Sequence, residues 1–268
     1  MPVRRHPAVR KLIHTQPIGP WFLKAHDSWL NFYLPRISER KNFPARQAFE
    51  ANPPRLSPVQ SRVLEELRTT GMGCAPVTEL LDGPSLWKGV REDICAWTES
   101  PEHAARARAY CEGGYRETRG KPYEIKKHPH GTWLAPDHLY IRFGLQREIL
   151  GIVNSYFGLL AKLTHVDAWH NLSLNLDIPR LESQNWHRDP EDTKLVKVFL
   201  YLTDVDTGSG AMEYVLRSRP GEKYGEVYPQ RVPYGSRIPD QQIEQRVAPK
   251  DRAICAFPSG TCVFVDTV

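Results

Sequence analysis

The sequence predicts an α+β protein whose strands gather toward its C-terminal end, in an antiparallel barrel or double-sheet jelly roll. Three observations predict it. Helix signals with a 3.6-residue period occupy the chain up to about residue 162. Beyond that point apolar residues recur at every second position in short runs. Turns rich in Gly, Pro and Asp separate those runs, and helices followed by a series of short strands is the order of an α+β fold. With 268 residues, 40% hydrophobic and 25% charged, the chain has the composition of a soluble globular protein with a sizeable core.

Taken in order, residues 1–56 read as a wrap. Trp21, Phe22, Trp29, Phe32 and Tyr33 form an aromatic segment, and Pro35, Pro44, Pro53 and Pro54 are expected to interrupt any long element. A helix is expected from Ser57 to about Thr70, with Ser57 as N-cap, Pro58 at the first helical position and Gly71 as its stop. The same signal recurs at Ser100-Pro101-Glu102, running to Gly113 and Gly114. Residues 115–138 are basic and loop-like. A helix is expected over Leu145 to about Lys162, with a wide apolar stripe from Ile149 to Leu160. Strands follow over 171–178, 184–189, 195–202, 211–216, 252–257 and 261–266. Residues 217–249 form a long, proline-punctuated loop of a length that is uncommon unless functional. The domain reading is a mostly helical and loop region over 1–139, followed by a β-rich core over 140–268.

The bulk properties exclude several classes of function. The formal charge is +5, and the basic residues are scattered rather than stacked in a stripe, so no nucleic-acid partner is expected. No run approaches the ~18 apolar residues of a membrane-spanning helix, and Met1 to Arg10 is basic and proline-broken, with no apolar stretch after it. The five cysteines are odd in number and contain no C-x-x-C pair, which points away from a zinc ribbon or a disulfide framework and toward a reduced, cytoplasmic protein. P-loop, nucleophile-elbow and dinucleotide-binding fingerprints are all missing.

The chemistry concentrates at Gln184-Asn185-Trp186-His187-Arg188-Asp189-Pro190. On a strand, alternate side chains share a face, so His187 and Asp189 project side by side while Arg188 points away. One histidine and one carboxylate at this spacing are two-thirds of a 2-His-1-carboxylate set, which holds Fe(II) on one face and leaves positions open. The alternative is a hydrogen-bonded His–Asp pair in a core strand. A second H-x-D copy, His165-Val166-Asp167 with His170 close behind, reads as a helix-to-strand connection with capping roles. His128-Pro129-His130, beside Lys126 and Lys127, reads as an exposed loop with a weak anion or metal alternative. The arginines from Arg217 to Arg252 read as a solvated lid edge or as a guide for an acidic substrate.

Four segments resemble the phytanoyl-CoA dioxygenase family of Fe(II)- and 2-oxoglutarate-dependent oxygenases. They are Trp186 to Pro190, Lys197 to Asp206, Gly208 to Val215 and Phe257 to Asp266, and the likeness covers about residues 140–268. The resemblance implies a double-stranded β-helix core with the helical N-terminal half packed on it. It implies Fe(II) ligated by His187 and Asp189, with 2-oxoglutarate and O2 as cosubstrates and a small organic molecule as substrate. Asn175 lies at the offset where the family often places an amide or hydroxyl residue beside 2-oxoglutarate; its alternative is a satisfied strand amide. Lys197 and Tyr201, on one face of the next strand, are the other candidate 2-oxoglutarate contacts, and an aromatic there can equally be core. Because a carboxylate is present at Asp189, where related halogenases carry a small residue, hydroxylation is the expected outcome.

The chain departs from the family at its end. His187 is the last histidine, and the distal ligand of the family falls just after a strand matching the one that ends at Asp266. The expectation is therefore an incomplete enzyme whose third ligand, 2-oxoglutarate-binding basic residue and last two strands lie past Val268. Two other readings stand beside the dioxygenase: a catalytically silent jelly-roll protein, truncated or diverged, that binds a small ligand or partner, and a cupin-like hydrolase or isomerase using another divalent metal.

Overall fold

The computed structural model describes residues 18–83, 85–113, 121, 123–128, 131–172, 182–189, 191–228 and 236–268. They fall into two compact units, one drawn from residues 18–53 and 158–160 and the other from the described residues of 54–157 and 161–268. The first unit is carried by one helix, α1 (Ile18–Ala51). The expected interruption by Pro35 and Pro44 does not occur, and the helix runs through both. An interior proline removes one backbone donor and costs about 3 kcal/mol, so it bends or weakens a long helix without having to end it. The helix does stop before Pro53 and Pro54, where residue Asn52 is held off the helical conformation by the ring that follows it.

In the second unit α2 (Pro58–Thr70) forms with the predicted ends. Ser57 Oγ accepts from the Gln60 backbone N–H while Gln60 Oε1 accepts from that of Ser57, a complete capping box. Gly71 closes the helix at φ 84°, and a Cβ there would lie 2.3 Å from the Tyr214 hydroxyl oxygen. The chain then enters β1 (Met72–Pro76), a strand that the sequence pattern did not announce. Gly73 lets α2 lie directly on it, since a Cβ at this position would meet the Val63 carbonyl oxygen at 2.4 Å. The short α3 (Val77–Leu80), then α4 (Ser85–Thr98) and α5 (Pro101–Cys111), complete the N-terminal helices. The single helix expected over 145–162 is replaced by α6 (Leu139–Gly144) and the shorter α7 (Arg147–Phe157), which ends where Gly158 turns left-handed at φ 66°.

The strands form four antiparallel sheets that do not close into a barrel among the described residues. The first is β1, β9 (Thr261–Asp266) and β5 (Val196–Leu200), with β9 in the centre. The others are the pairs β2 (Glu124–Lys126) with β3 (Trp169–Asn171), β4 (Trp186–Arg188) with β7 (Ser236–Ile238), and β6 (Met212–Val215) with β8 (Arg252–Cys255). The loop expected over 217–249 holds β7 and α8 (Asp240–Arg246). Most of the strand expected over 171–178 lies outside the described residues.

All six residues of β9 are buried. Cys262 and Phe264 enter a cluster with Leu67, Val90, Phe143 and Ile152 of the helices. Val263 and Val265 enter a second cluster with Tyr214 and Cys255 of the β6–β8 pair. The two-residue alternation of one strand thus feeds two cores, and the central sheet is sandwiched between helices and a second sheet. A third cluster, Tyr224, Ile238, Ile243 and Val247 with Trp186, packs α8 and β7 behind β4. No helix among the described residues is long and apolar enough to cross a membrane.

Phe264 is fully buried in the first cluster. Phe264→Ala is expected to cost about 3–5 kcal/mol, read as a lower urea midpoint with an unchanged m-value; a loss under about 1 kcal/mol would contradict its central place in the core.

Candidate metal centre

Strand β4 pairs with β7 so that His187 lies opposite Arg237. Within β4, Trp186 packs into the third cluster behind the strand, and Arg188 is buried. The backbone N–H of Asp189 donates to the Thr267 carbonyl at 2.9 Å, and the Thr267 N–H reaches the Leu195 carbonyl at 3.4 Å. The segment after β9 therefore stitches the end of β4 to the start of β5.

His187 and Asp189 come together as the alternation predicts. His187 Nε2 is 3.7 Å from Asp189 Oδ1. His187 Nδ1 is 2.7 Å from the Asn185 carbonyl oxygen, which can only accept, so Nδ1 carries the proton and Nε2 presents its lone pair. A backbone carbonyl holding one imidazole nitrogen is the usual way a protein orients a metal-ligating histidine. Two cis ligands with bonds of about 2.1 Å sit about 3 Å apart, so a shift of under an ångström brings this pair to bonding geometry. The pair fits a divalent cation as two of its ligands. Among the described residues no group of three or more His, Cys, Asp and Glu side chains converges.

Lys197 joins the pair from β5. Its ammonium is 2.6 Å from Asp189 Oδ2, and the carboxylate side chain is only 9% exposed. Lys197, Phe199 and Tyr201 alternate along β5 on one side, and Phe199 and Tyr201 pack into the second cluster. Tyr201, though, lies four residues along, about 13 Å from Lys197 at strand rise. Its hydroxyl donates to the Cys255 carbonyl at 2.9 Å, and burial pushes its pKa up. The structure thus brings Lys197, and not the Tyr201 hydroxyl, to the His–Asp pair. Asn175 lies outside the described residues.

Arg188 points away from the pair as the alternation predicts, and its anchoring role is one that the sequence pattern did not show. The residue is buried, 7% exposed, and its guanidinium donates to backbone carbonyls on the side away from His187 and Asp189. Nε reaches Tyr228 O at 2.5 Å, Nη1 reaches Val268 O, and Nη2 reaches Ser218 O and, at 3.4 Å, Gly225 O. The available signal was a long cation on the same strand face as Trp186, opposite His187 and Asp189.

The second H-x-D copy does not form a pair. His165 is exposed and contacts Thr164, whereas Asp167 forms an ion pair with Lys126. His170 instead meets His103 of α5, with Nδ1 and Nε2 3.0 Å apart. The ring planes differ by only 18° and the centroids are 5.0 Å apart, which is the geometry of an end-to-end N–H···N bond. Near His128, only one member of the His128/His130 motif is described; its neighbours are the His138 and Tyr140 rings, each 5.7 Å away. Among the described arginines from Arg217 to Arg252, Arg217 is tied to Asp251, Arg219 to Glu222 and Tyr156, and Arg246 lies over the Tyr228 ring. Arg231 lies outside the described residues.

No protein-family model, no curated protein and no solved structure matches this chain.

Two outcomes follow from this geometry. Arg188→Met is expected to destabilise by about 2–4 kcal/mol, because it leaves a set of buried carbonyls without donors. Arg188→Lys is expected to recover only part of that, since one ammonium cannot serve carbonyls spread around a planar fork. Equal stability of Arg188→Met and the parent in urea unfolding would contradict the anchoring role. The second concerns His103 and His170, whose pKa values burial lowers, with Arg106 adding to the effect on His103 and His103 to that on His170. An unfolded imidazole takes up its proton near pH 6.5, so the unfolded chain binds protons first as pH falls. The stability given by the pair is therefore full above about pH 6.5 and declines as pH drops below it. Unfolding free energies measured from pH 8 to 5 are expected to fall less steeply in His170→Asn than in the parent; identical slopes would show that the pair does not titrate with folding.

Proposed function

We propose that this protein is a non-haem Fe(II)- and 2-oxoglutarate-dependent dioxygenase that hydroxylates a small organic molecule. The observation that carries the reading is the pair on one face at the end of β4: His187 with its Nε2 lone pair turned toward Asp189 Oδ1 at 3.7 Å, its other nitrogen fixed on the Asn185 carbonyl. The motif resemblance over about residues 140–268 supports it. On this reading the antiparallel sheets around β9, β5, β6 and β8 belong to a double-stranded β-helix core.

His187 and Asp189 would hold iron(II), with the third ligand outside the residues that converge here. The bound iron, with 2-oxoglutarate and O2, supplies the oxidation: 2-oxoglutarate becomes succinate and CO2 as the substrate gains a hydroxyl group. The chain supplies placement and a dry wall. The Asn185 carbonyl fixes the imidazole, the Thr267 carbonyl fixes the Asp189 backbone, and Trp186 seals the strand from behind. On the β5 side Lys197 offers a positive charge for an anionic cosubstrate, and Phe199 offers an apolar surface. Iron(II) chemistry and free thiols on all five cysteines accord with a cytoplasmic setting.

A second reading has one observation in its favour. Only two ligand side chains converge among the described residues, which suits a jelly-roll protein that binds a ligand without turnover.

Succinate formation dependent on Fe(II) and 2-oxoglutarate separates the two. The full-length protein is expected to form succinate, and His187→Ala and Asp189→Ala are each expected to lose it by about 100-fold or more. Full activity in Asp189→Ala would sink the ligand assignment. Iron retained without any succinate would favour the second reading.

A further inference from the structure

The two oxygens of the Asp189 carboxylate have different neighbours. Oδ1 faces His187 Nε2, and Oδ2 holds the Lys197 ammonium at 2.6 Å. The Lys197 backbone is held in place by the pairing of β5 with β9, where it lies opposite Val265, so the ammonium reaches Asp189 from a set Cα position. The ion pair is also largely screened from water on the Asp189 side, where the carboxylate is 9% exposed against 31% for the lysine side chain. Any cation that bonds to Oδ1 while this ion pair holds therefore sits within a few ångströms of a positive charge, where repulsion is felt through a medium less polar than water.

Resting on the metal reading of His187 and Asp189, we propose that Lys197 is a built-in competitor for the metal and the device that couples metal binding to anion binding. The ammonium takes one oxygen of Asp189, restricts that carboxylate to one-oxygen ligation, and opposes a divalent cation placed between Oδ1 and His187. A dicarboxylate arriving at the same place reverses the balance. It adds negative charge beside the cation and gives Lys197 a second anionic partner. Metal and dicarboxylate thus raise each other's affinity, and by linkage they do so by the same factor. Lys197 acts through Asp189 and the bound anion; it is a positioning and charge-setting residue.

The alternative role for the same contact is purely orienting. An outer partner that only aims a ligand strengthens metal binding, and its removal weakens binding by about 10–100-fold. The two roles predict opposite signs, which makes the proposal testable without turnover.

The experiment is a titration of the full-length protein with Mn(II), with free Mn(II) read by electron paramagnetic resonance, in the absence and presence of 2-oxoglutarate. The variants are Lys197→Met, which keeps the length of the stem, Lys197→Gln, which keeps a polar tip if the methionine does not fold, and Lys197→Arg, which keeps the charge. Thermal melts establish that each variant is folded. Removing the charge is expected to tighten Mn(II) binding about tenfold and to shrink the enhancement given by 2-oxoglutarate, while Lys197→Arg stays close to the parent. Weaker or unchanged Mn(II) binding in both neutral variants overturns the proposal and leaves the metal reading standing. If the parent protein binds no Mn(II), and His187→Ala is indistinguishable from it, the metal reading fails and this inference fails with it.

Discussion

Arg188 is a buried cation on the opposite face of the strand from His187 and Asp189, and its guanidinium donates to four main-chain carbonyls from two stretches of the chain, 218–228 and the segment after β9. Taking such a group out of water is costly unless its donors are satisfied. The carbonyls of Ser218, Gly225 and Tyr228 fix the turns after β6, and that of Val268 fixes the segment after β9. A strand of three residues has little hold on its own register. With the Arg188 side chain anchored in this way, β4 has one orientation, and that orientation puts His187 and Asp189 together on the opposite face. The candidate site is thus set from behind, by a residue that makes no contact with it among those described here.

The second constraint is β9. It has one strand on each side and a core on each face, so every residue of Thr261–Asp266 is committed. Its continuation through Thr267 carries the main-chain bonds to Asp189 and Leu195. Asp266 is bound into the same region: its backbone carbonyl accepts from the Tyr214 hydroxyl, and its carboxylate accepts from the Tyr156 hydroxyl at 2.5 Å. Asp251 plays a comparable part behind the site, where Lys223 and Tyr224 hold its carboxyl at about 2, well below the usual range. These ties build the wall behind His187 and Asp189, and of the two side chains the imidazole is the one that reaches solvent, at 35% exposure against 9% for the carboxylate.

The local signals were legible where a residue type has one physical use. Ser57, Pro58 and Gly71 mark the ends of α2 because capping and a left-handed turn leave few alternatives. The alternation over β5 and β9 reads directly because each strand has distinct faces. β1 was not legible: Met72-Gly73-Cys74-Ala75-Pro76 has no β-branched residue, and its strand character comes from pairing with β9. The long α1 was hidden by prolines whose cost is real but not decisive. At the site, the pairing of His187 with Asp189 followed from a two-residue period. Lys197 could be put on the right face of β5, but its partner is set by how β4 meets β9, and no local pattern carries that. Arg188 was invisible for the same reason, since its partners are backbone atoms some 30 to 80 positions away in sequence.

The central claim is that His187 and Asp189 hold iron(II) in a way that leaves room for a chelating keto acid. The most direct measurement is an anaerobic absorption titration of the full-length protein with Fe(II) and then 2-oxoglutarate. A visible charge-transfer band that needs protein, iron and 2-oxoglutarate together, and that disappears in Asp189→Ala, is the result expected. Absence of the band in the parent protein, or its persistence in Asp189→Ala, would contradict the account.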